Sequence, residues 1–125
     1  MSNIPRILLV DDEPGTSELV SRILVKQGYE VVVMESGEDA LKLLNRDAHF
    51  DLILLDYLMI GVDGLETLEV IKKQPHTQHL KVIIQSGSAD VNDMEKARSL
   101  GAAGYILKPI KVSELLEQVK KQLAL

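Results

Sequence analysis

The sequence predicts an α/β fold: five βα units wound into a parallel five-stranded sheet, strand order 2-1-3-4-5, with helices on both faces. Three observations point there. Short, continuous apolar runs recur along the chain, as strands buried on both faces of a parallel sheet require. Between them, apolar residues return at helical spacing. Four runs also end in polar residues: Arg6-Ile-Leu-Leu-Val10 in Asp11-Asp12, Asp51-Leu-Ile-Leu-Leu55 in Asp56, Lys81-Val-Ile-Ile-Gln85 in Ser86, and Gly104-Tyr-Ile-Leu107 in Lys108-Pro109.

Each element has its own signal. After the first strand, Leu19, Val20, Ile23 and Leu24 form a helical stripe that Gly28 stops. Tyr29–Met34 reads as the second strand. Ser36-Gly37-Glu38-Asp39 introduces a helix marked by Ala40, Leu41, Leu43 and Leu44. The Asp56 strand is followed by a helix carrying Leu65, Leu68 and Ile71, which ends before Pro75. Met94, here read as core, Ala97 and Leu100 mark a short helix ending at Gly101. Val112, Leu115, Leu116, Val119 and Leu123 carry the fifth helix, with Ser113 near its start. Alternating βα units imply right-handed crossovers. The second strand carries no site residue, so the order 2-1-3-4-5 puts the switch point between strands one and three, where the carboxylates meet.

Length and composition narrow the function classes. The 125 residues fit one domain, 1–125. With 3% aromatic residues, the core is built from Leu, Ile, Val and Ala. The absence of Cys excludes disulfides, thiolate metal sites and cysteine nucleophiles, and suits a reducing compartment. A net charge of −5 argues against direct nucleic-acid binding. Lys72-Lys73 and Lys120-Lys121 read as solvated helix faces, and His49, His76 and His79 as surface residues. No run has the length of a membrane span. A cytoplasmic protein is expected.

Ligands of open α/β sheets bind beyond the carboxyl ends of the strands. Asp11, Asp12 and Asp56 would therefore lie close together, a cluster that a cation neutralises or a proton relieves. Their all-oxygen chemistry favours Mg²⁺. An aspartate can also attack phosphorus and form an aspartyl phosphate, with Lys108 and the Ser86 hydroxyl available to the phosphoryl oxygens. Singly, each residue has an ordinary reading: Asp11-Asp12 as a capping pair, Asp56 as a loop acid, Lys108 as a surface lysine, Ser86 as the start of a turn. Together, at matching strand ends, those readings weaken.

Asp11-Asp12-Glu13-Pro14, Phe50-Asp-Leu-Ile-Leu-Leu-Asp56, Asp63-Gly64, Ser86 and Lys108-Pro109 together resemble the CheY-like receiver domain of two-component response regulators, a flavodoxin-like fold, over essentially the whole chain. The resemblance implies that Asp56 accepts a phosphoryl group from a histidine kinase, a histidine phosphotransfer protein or a small acyl phosphate. It implies Mg²⁺ held by Asp12, Asp56 and the Leu58 backbone carbonyl, with Asp11 acting through water. Ser86 and Lys108 would contact the phosphoryl oxygens. It also implies a cis Lys108-Pro109 peptide, against the statistical preference for trans. Two positions depart from the usual pattern: Ile60 follows Met59 where Pro is common, and Gly87 follows Ser86 where Ala is common.

By the same likeness, Ser86 and Tyr105 form a switch: Ser86 moves towards the phosphoryl group and Tyr105 fills the space. The altered surface would be the fourth helix, fifth strand and fifth helix, with Lys96, Ser99, Lys111, Glu114 and Gln118 among partner-facing positions. A downstream effector domain or protein would read it. A monomer is expected, with dimerisation on phosphorylation left open. Leu58 and Ser88 flank the expected path of hydrolytic water, and neither is an acid or amide, so a comparatively long-lived phosphoryl group is expected. The protein would catalyse only its own phosphorylation and dephosphorylation. A Mg²⁺-dependent phosphatase or phosphotransferase is the alternative; it would want an acid at Leu58 and a cap over the substrate. A flavodoxin-like cofactor binder would want a Gly/Ser/Thr-rich loop after the first strand. Only Ala124-Leu125 follow the fifth helix, which suits a stand-alone receiver or a piece of a longer regulator or hybrid kinase.

Overall fold

The computed structural model describes residues 4–57 and 63–124. Strands and helices alternate through them: β1 (Arg6–Val10), α1 (Pro14–Lys26), β2 (Glu30–Met34), α2 (Gly37–Arg46), β3 (Leu52–Asp56), α3 (Gly64–Lys73), β4 (Val82–Ser86), α4 (Val91–Ser99), β5 (Gly104–Leu107) and α5 (Val112–Leu123). The five strands form one sheet in the order β2-β1-β3-β4-β5, all pairs parallel. Among the described residues, no helix is long and apolar enough to cross a membrane.

The strand sequences explain this layering. Alternate residues face opposite sides: Leu8, Val10, Ile53, Leu55, Val82 and Ile84 join a core with α2, α3 and α4. Ile7, Leu9, Leu52, Leu54, Ile83 and Ile106 face α1 and α5 instead. With both faces covered, β1, β3 and β4 carry near-continuous apolar runs, broken by Arg6 at the start of β1 and by Asp56, Gln85 and Ser86 at the carboxyl ends of β3 and β4. Each fully buried Leu or Ile contributes about 1.5–3 kcal/mol.

Caps and turns fix the helix ends. Ser36 accepts a hydrogen bond from Asp39 N–H at the start of α2, Asp63 from Glu66 N–H in α3 and Asp90 from Asn92 N–H in α4, each worth about 1 kcal/mol. Pro14 opens α1, where its missing N–H costs nothing. Gly28 follows at φ 94°, a conformation that side chains with a Cβ disfavour. At the opposite edge of the sheet from the strand ends, Arg6 pairs with Glu30 and Asp47 and stacks on Phe50 at 4.3 Å.

Three apolar assignments change. Leu19 is 54% exposed and Val112 50% exposed, and Met94 is half-buried. In α1 the buried line runs through Ser17, Val20 and Leu24, narrower than the stripe of four. Val112 stands in the first turn of α5, whose buried residues are Leu115, Val119 and Gln122. Among the residues of α4, only Ala97 is fully buried.

Gly64 marks the tightest approach between an element and the site. Its N–H donates to the Tyr57 carbonyl at 2.9 Å. A Cβ here would stand 2.1 Å from the Asp56 carbonyl oxygen and 2.9 Å from Tyr57 Cα. Both are backbone atoms, which cannot swing aside. Gly64→Ala should therefore lower stability by about 2 kcal/mol or more, read as a reduced urea midpoint; an unchanged midpoint would show that β3 and α3 separate freely.

Candidate functional site

Strand order reverses between β1 and β3, and the chain carries its acids to that boundary. Asp11 follows β1 and is held by its N–H to the Met34 carbonyl at 3.0 Å. Asp56 ends β3. Carboxylate oxygens of Asp11, Asp12 and Asp56 all lie within 4.8 Å of one another. Asp11 and Asp56 are 1% and 2% exposed, which removes most of the water that would screen their repulsion. Asp11 Oδ1 accepts from the Glu13 N–H at 2.9 Å, which shapes the turn into α1. Its Oδ2 is buried with no hydrogen-bond partner among the described residues.

Lys108 supplies the counter-charge. It follows β5, its N–H donating to the Ser86 carbonyl at 2.8 Å, and its side chain reaches past β4 to Asp56. Lys108 Nζ lies 3.0 Å from Asp56 Oδ2, 3.3 Å from Glu13 Oε1 and 3.9 Å from Asp11 Oδ2. The last distance is an ion pair too long for a hydrogen bond. The Lys108–Pro109 peptide is cis. Glu13, Asp56, Tyr57, Ser86, Gly87 and Lys108 line a cleft of about 190 Å³.

Ser86 ends β4, 2% exposed, and its Oγ accepts from the Ser88 N–H at 3.0 Å. Tyr105 is half-buried against the α2–α4 core; its hydroxyl donates to the Ser88 carbonyl at 2.9 Å. Ser86, Lys108, Asp11, Asp12 and Asp56 thus share one sheet edge, with Tyr105 one loop away. Leu58, expected to offer its carbonyl, lies outside the described residues, as do Met59 and Ile60. Of the output-face candidates, Lys96, Ser99 and Lys111 are exposed. Gln118 turns inward instead, donating from Nε2 to the Tyr105 carbonyl at 3.1 Å.

Sequence reasoning gave Glu13 no role of its own, although it follows the aspartate pair directly. It also passed over Gln85, read simply as the last residue of an apolar run. Gln85 is fully buried, stands in register beside Asp56, and neither of its amide atoms has a hydrogen-bond partner among the described residues. A polar residue at the penultimate position of an otherwise apolar buried strand, just before Ser86, was the available signal.

Burial pushes the Asp56 carboxyl up to about 6; the Lys108 contact opposes that shift and the Asp11 charge adds to it. Burial works to lower the Lys108 ammonium, but its contacts with Asp56, Asp11 and Glu13 outweigh it, and the net shift is upward. For Asp56 the folded state holds its proton longer than the unfolded chain, whose aspartates titrate near 3.9. Stability from this group is therefore greatest below about pH 4, falls as pH rises towards about 6, and stays low above that. Asp56→Asn should stabilise the protein by on the order of 2 kcal/mol near neutral pH, and the gain should vanish near pH 4. Urea unfolding at both pH values, in chelator-treated buffer, checks this; a gain of equal size at both would contradict it.

This arrangement has known counterparts. A family model described as the response regulator receiver domain matches residues 7–120. Sporulation initiation phosphotransferase F of Bacillus subtilis is 32% identical over 120 residues, covering 96% of this chain and 94% of that protein. A probable cyclic di-GMP phosphodiesterase of Vibrio cholerae is 36% identical over 117 residues, 94% of this chain but 26% of that protein. The chain spans about half, 52%, of the phosphate regulon transcriptional regulatory protein PhoB of Rhizobium meliloti, at 31% identity over 96% of its own length. A putative response regulator of Chloroflexus aurantiacus superposes with a TM-score of 0.93 at 29% identity, covering 98% of this chain and all (100%) of that one. Chemotaxis protein CheY4 of Vibrio cholerae gives 0.90 at 26% identity, over 96% and 99% of the two chains. The chain belongs to the response regulator receiver domain family, the phosphorelay signalling module of two-component systems.

Proposed function

We propose that Asp56 is the phosphoryl acceptor of this receiver, in a Mg²⁺-dependent reaction. The observation that carries this reading is the reach of Lys108 past β4 to Asp56, 3.0 Å from its Oδ2, beside two further carboxylates. A carboxyl pushed up to about 6 is mostly ionised at neutral pH and more basic than an ordinary aspartate, which suits a nucleophile. An Asp56 oxygen forms the bond to phosphorus, and the bond from phosphorus to the donor's nitrogen or oxygen breaks, its electron pair leaving with the donor. Lys108 meets the equatorial oxygens, where the charge lies.

Asp11, Asp12 and Asp56 are the side chains that would hold the cation, together with the Leu58 carbonyl. The buried Oδ2 of Asp11, without a hydrogen-bond partner among the described residues and 3.9 Å from Lys108 Nζ, is a ligand atom of the kind a hydrated Mg²⁺ takes. When bound, Mg²⁺ supplies charge neutralisation for three clustered acids and an incoming phosphoryl group. Ser86 then offers its hydroxyl to the phosphoryl oxygens, and Tyr105 responds through the β4–α4 loop. The message passes by way of α4, β5 and α5 to an effector domain or protein, and arrives from a histidine kinase or phosphotransfer protein. Residues 1–125 form the single receiver unit, with no turnover of an external metabolite. A cytoplasmic setting fits the Cys-free sequence. The Ser88 hydroxyl is already donated to Asp93 at 2.6 Å, which leaves it poorly placed to orient water and favours a long-lived phosphoryl group.

Acetyl phosphate with Mg²⁺ should add one acid-labile phosphoryl group by intact mass, and Asp56→Asn should abolish it. Lys108→Ala should keep Mg²⁺ binding and slow the addition about a hundredfold. If no addition occurs while Mg²⁺ binding is demonstrated, the acceptor role fails.

A further inference from the structure

The β4–α4 loop contains a hydrogen-bond hub that the receiver chemistry alone does not require. Ser88 engages every polar group it has. Its N–H donates to Ser86 Oγ at 3.0 Å, and its carbonyl accepts from the Tyr105 hydroxyl at 2.9 Å. Its own hydroxyl donates to Asp93 Oδ2 at 2.6 Å and accepts from the Asp90 N–H at 3.2 Å. The other Asp93 oxygen, Oδ1, accepts from the Tyr57 hydroxyl at 3.3 Å. Burial, and then Asp93, raise the Tyr57 phenol above its ordinary value, so it stays a donor at neutral pH.

An acid in the first turn of a helix ordinarily answers the helix dipole. In α4 the capping task is already met by Asp90, whose carboxylate accepts the Asn92 N–H at 2.8 Å. Both oxygens of Asp93 are spent on tertiary contacts instead, one to the residue after Asp56 and one to the residue two beyond Ser86. A short hydroxyl-to-carboxylate bond is among the stronger neutral-to-charged contacts. It holds Ser88, and Ser88 in turn holds the two switch residues. With its lone pair occupied by the Ser88 N–H, the Ser86 hydroxyl is left to aim its hydrogen elsewhere.

We propose that Asp93 is a positioning residue of the switch: through Ser88 it orients the Ser86 hydroxyl and anchors the inward Tyr105, and through Tyr57 it ties α4 to the strand that carries Asp56. This rests on the acceptor reading above only for its effect on phosphorylation; the coupling to Tyr105 is independent of it. Two of the five side chains, Tyr57 and Asp93, lie 36 residues apart, so the tie closes only in the folded chain.

The three tyrosines, Tyr29, Tyr57 and Tyr105, give a direct readout by fluorine NMR of the full chain labelled with 3-fluorotyrosine, assigned through Tyr→Phe variants. Asp93→Ala should move the Tyr57 and Tyr105 resonances and leave Tyr29 in place. Ser88→Ala should move Tyr105 likewise, and Ser88→Thr, which keeps the hydroxyl, should return it towards the wild-type position. Phosphorylation by acetyl phosphate should slow about three- to tenfold in Asp93→Ala, the weight of one or two hydrogen bonds. The double variant Asp93→Ala/Ser88→Ala should be no slower than the slower single one, because both act along one path. A general loss of stability would leave the native Tyr105 resonance where it was. Asp93→Asn, which conserves shape and one acceptor, replaces Asp93→Ala should the latter not fold. An unmoved Tyr105 resonance, or additive rates in the double variant, would overturn the proposal. If the wild type accepts no phosphoryl group, the Asp56 reading fails by itself and the Tyr105 resonance alone decides the role of Asp93.

Discussion

Two carboxylates buried at one sheet edge, with a third beside them, form the constraint around which this molecule is arranged. Asp11 and Asp56 have lost nearly all contact with water, and burial alone drives Asp56 towards its protonated form. The Lys108 ammonium stands beside Asp11, Glu13 and Asp56. It balances part of the charge and leaves Asp11 Oδ2 without a hydrogen bond among the described residues. The site is therefore under-neutralised by construction. That imbalance is costly for folding and useful for binding, since a cation or a group carrying its own counter-ion gains what the protein lacks.

The strand order makes the imbalance possible. Lys108 and Asp56 belong to β5 and β3, with β4 between them, so the lysine must span a strand to make its pair. Ser86 ends that intervening strand and Gln85 lies in it beside Asp56. Any change in where the Lys108 ammonium sits is consequently felt along β4. The Gly64 backbone packs directly on the Asp56 carbonyl, which leaves β3 little freedom to absorb such a change. Beyond β4, Ser88 meets Asp93 and Tyr105 through hydrogen bonds.

Much of this was legible in the residues. The strands announced themselves because a parallel sheet covered on both faces reads as near-continuous apolar runs, and their polar ends marked the site edge. The start of α2 at Ser36-Gly37-Glu38-Asp39 was local and readable, while the Asp63 cap of α3 came from the structure. What periodicity could not show was how far each helix face is covered: Leu19 and Val112 keep helical spacing but find no neighbour deep enough to bury them. Nor could it show that Gln118 would turn inward to the Tyr105 carbonyl. The contacts of Glu13 with Lys108 and of Tyr57 with Asp93 join residues 95 and 36 positions apart. Such pairs carry no local pattern, because each residue is an ordinary surface type until the fold brings its partner.

The same distinction separates the chemistry of a strand-end site from the individual wiring of its loops. Residues that meet a phosphoryl group are limited in type by that group's charge and shape, so they can be recognised as a set at matching strand ends, though not singly. Residues that hold the loop need only close a hydrogen-bond circuit, and many combinations do so. Here the circuit runs through a carboxylate on α4 rather than through the helix dipole or solvent. A charged acceptor makes the Ser88 contact stronger than a neutral one would be, and its two oxygens let one side chain grip both the β3 end and the β4 end. The contacts of Ser88 with Ser86 and Asp93 link the end of β4 to the first turn of α4; under the proposed switch, a displacement of Ser86 would be carried along that link to a helix surface.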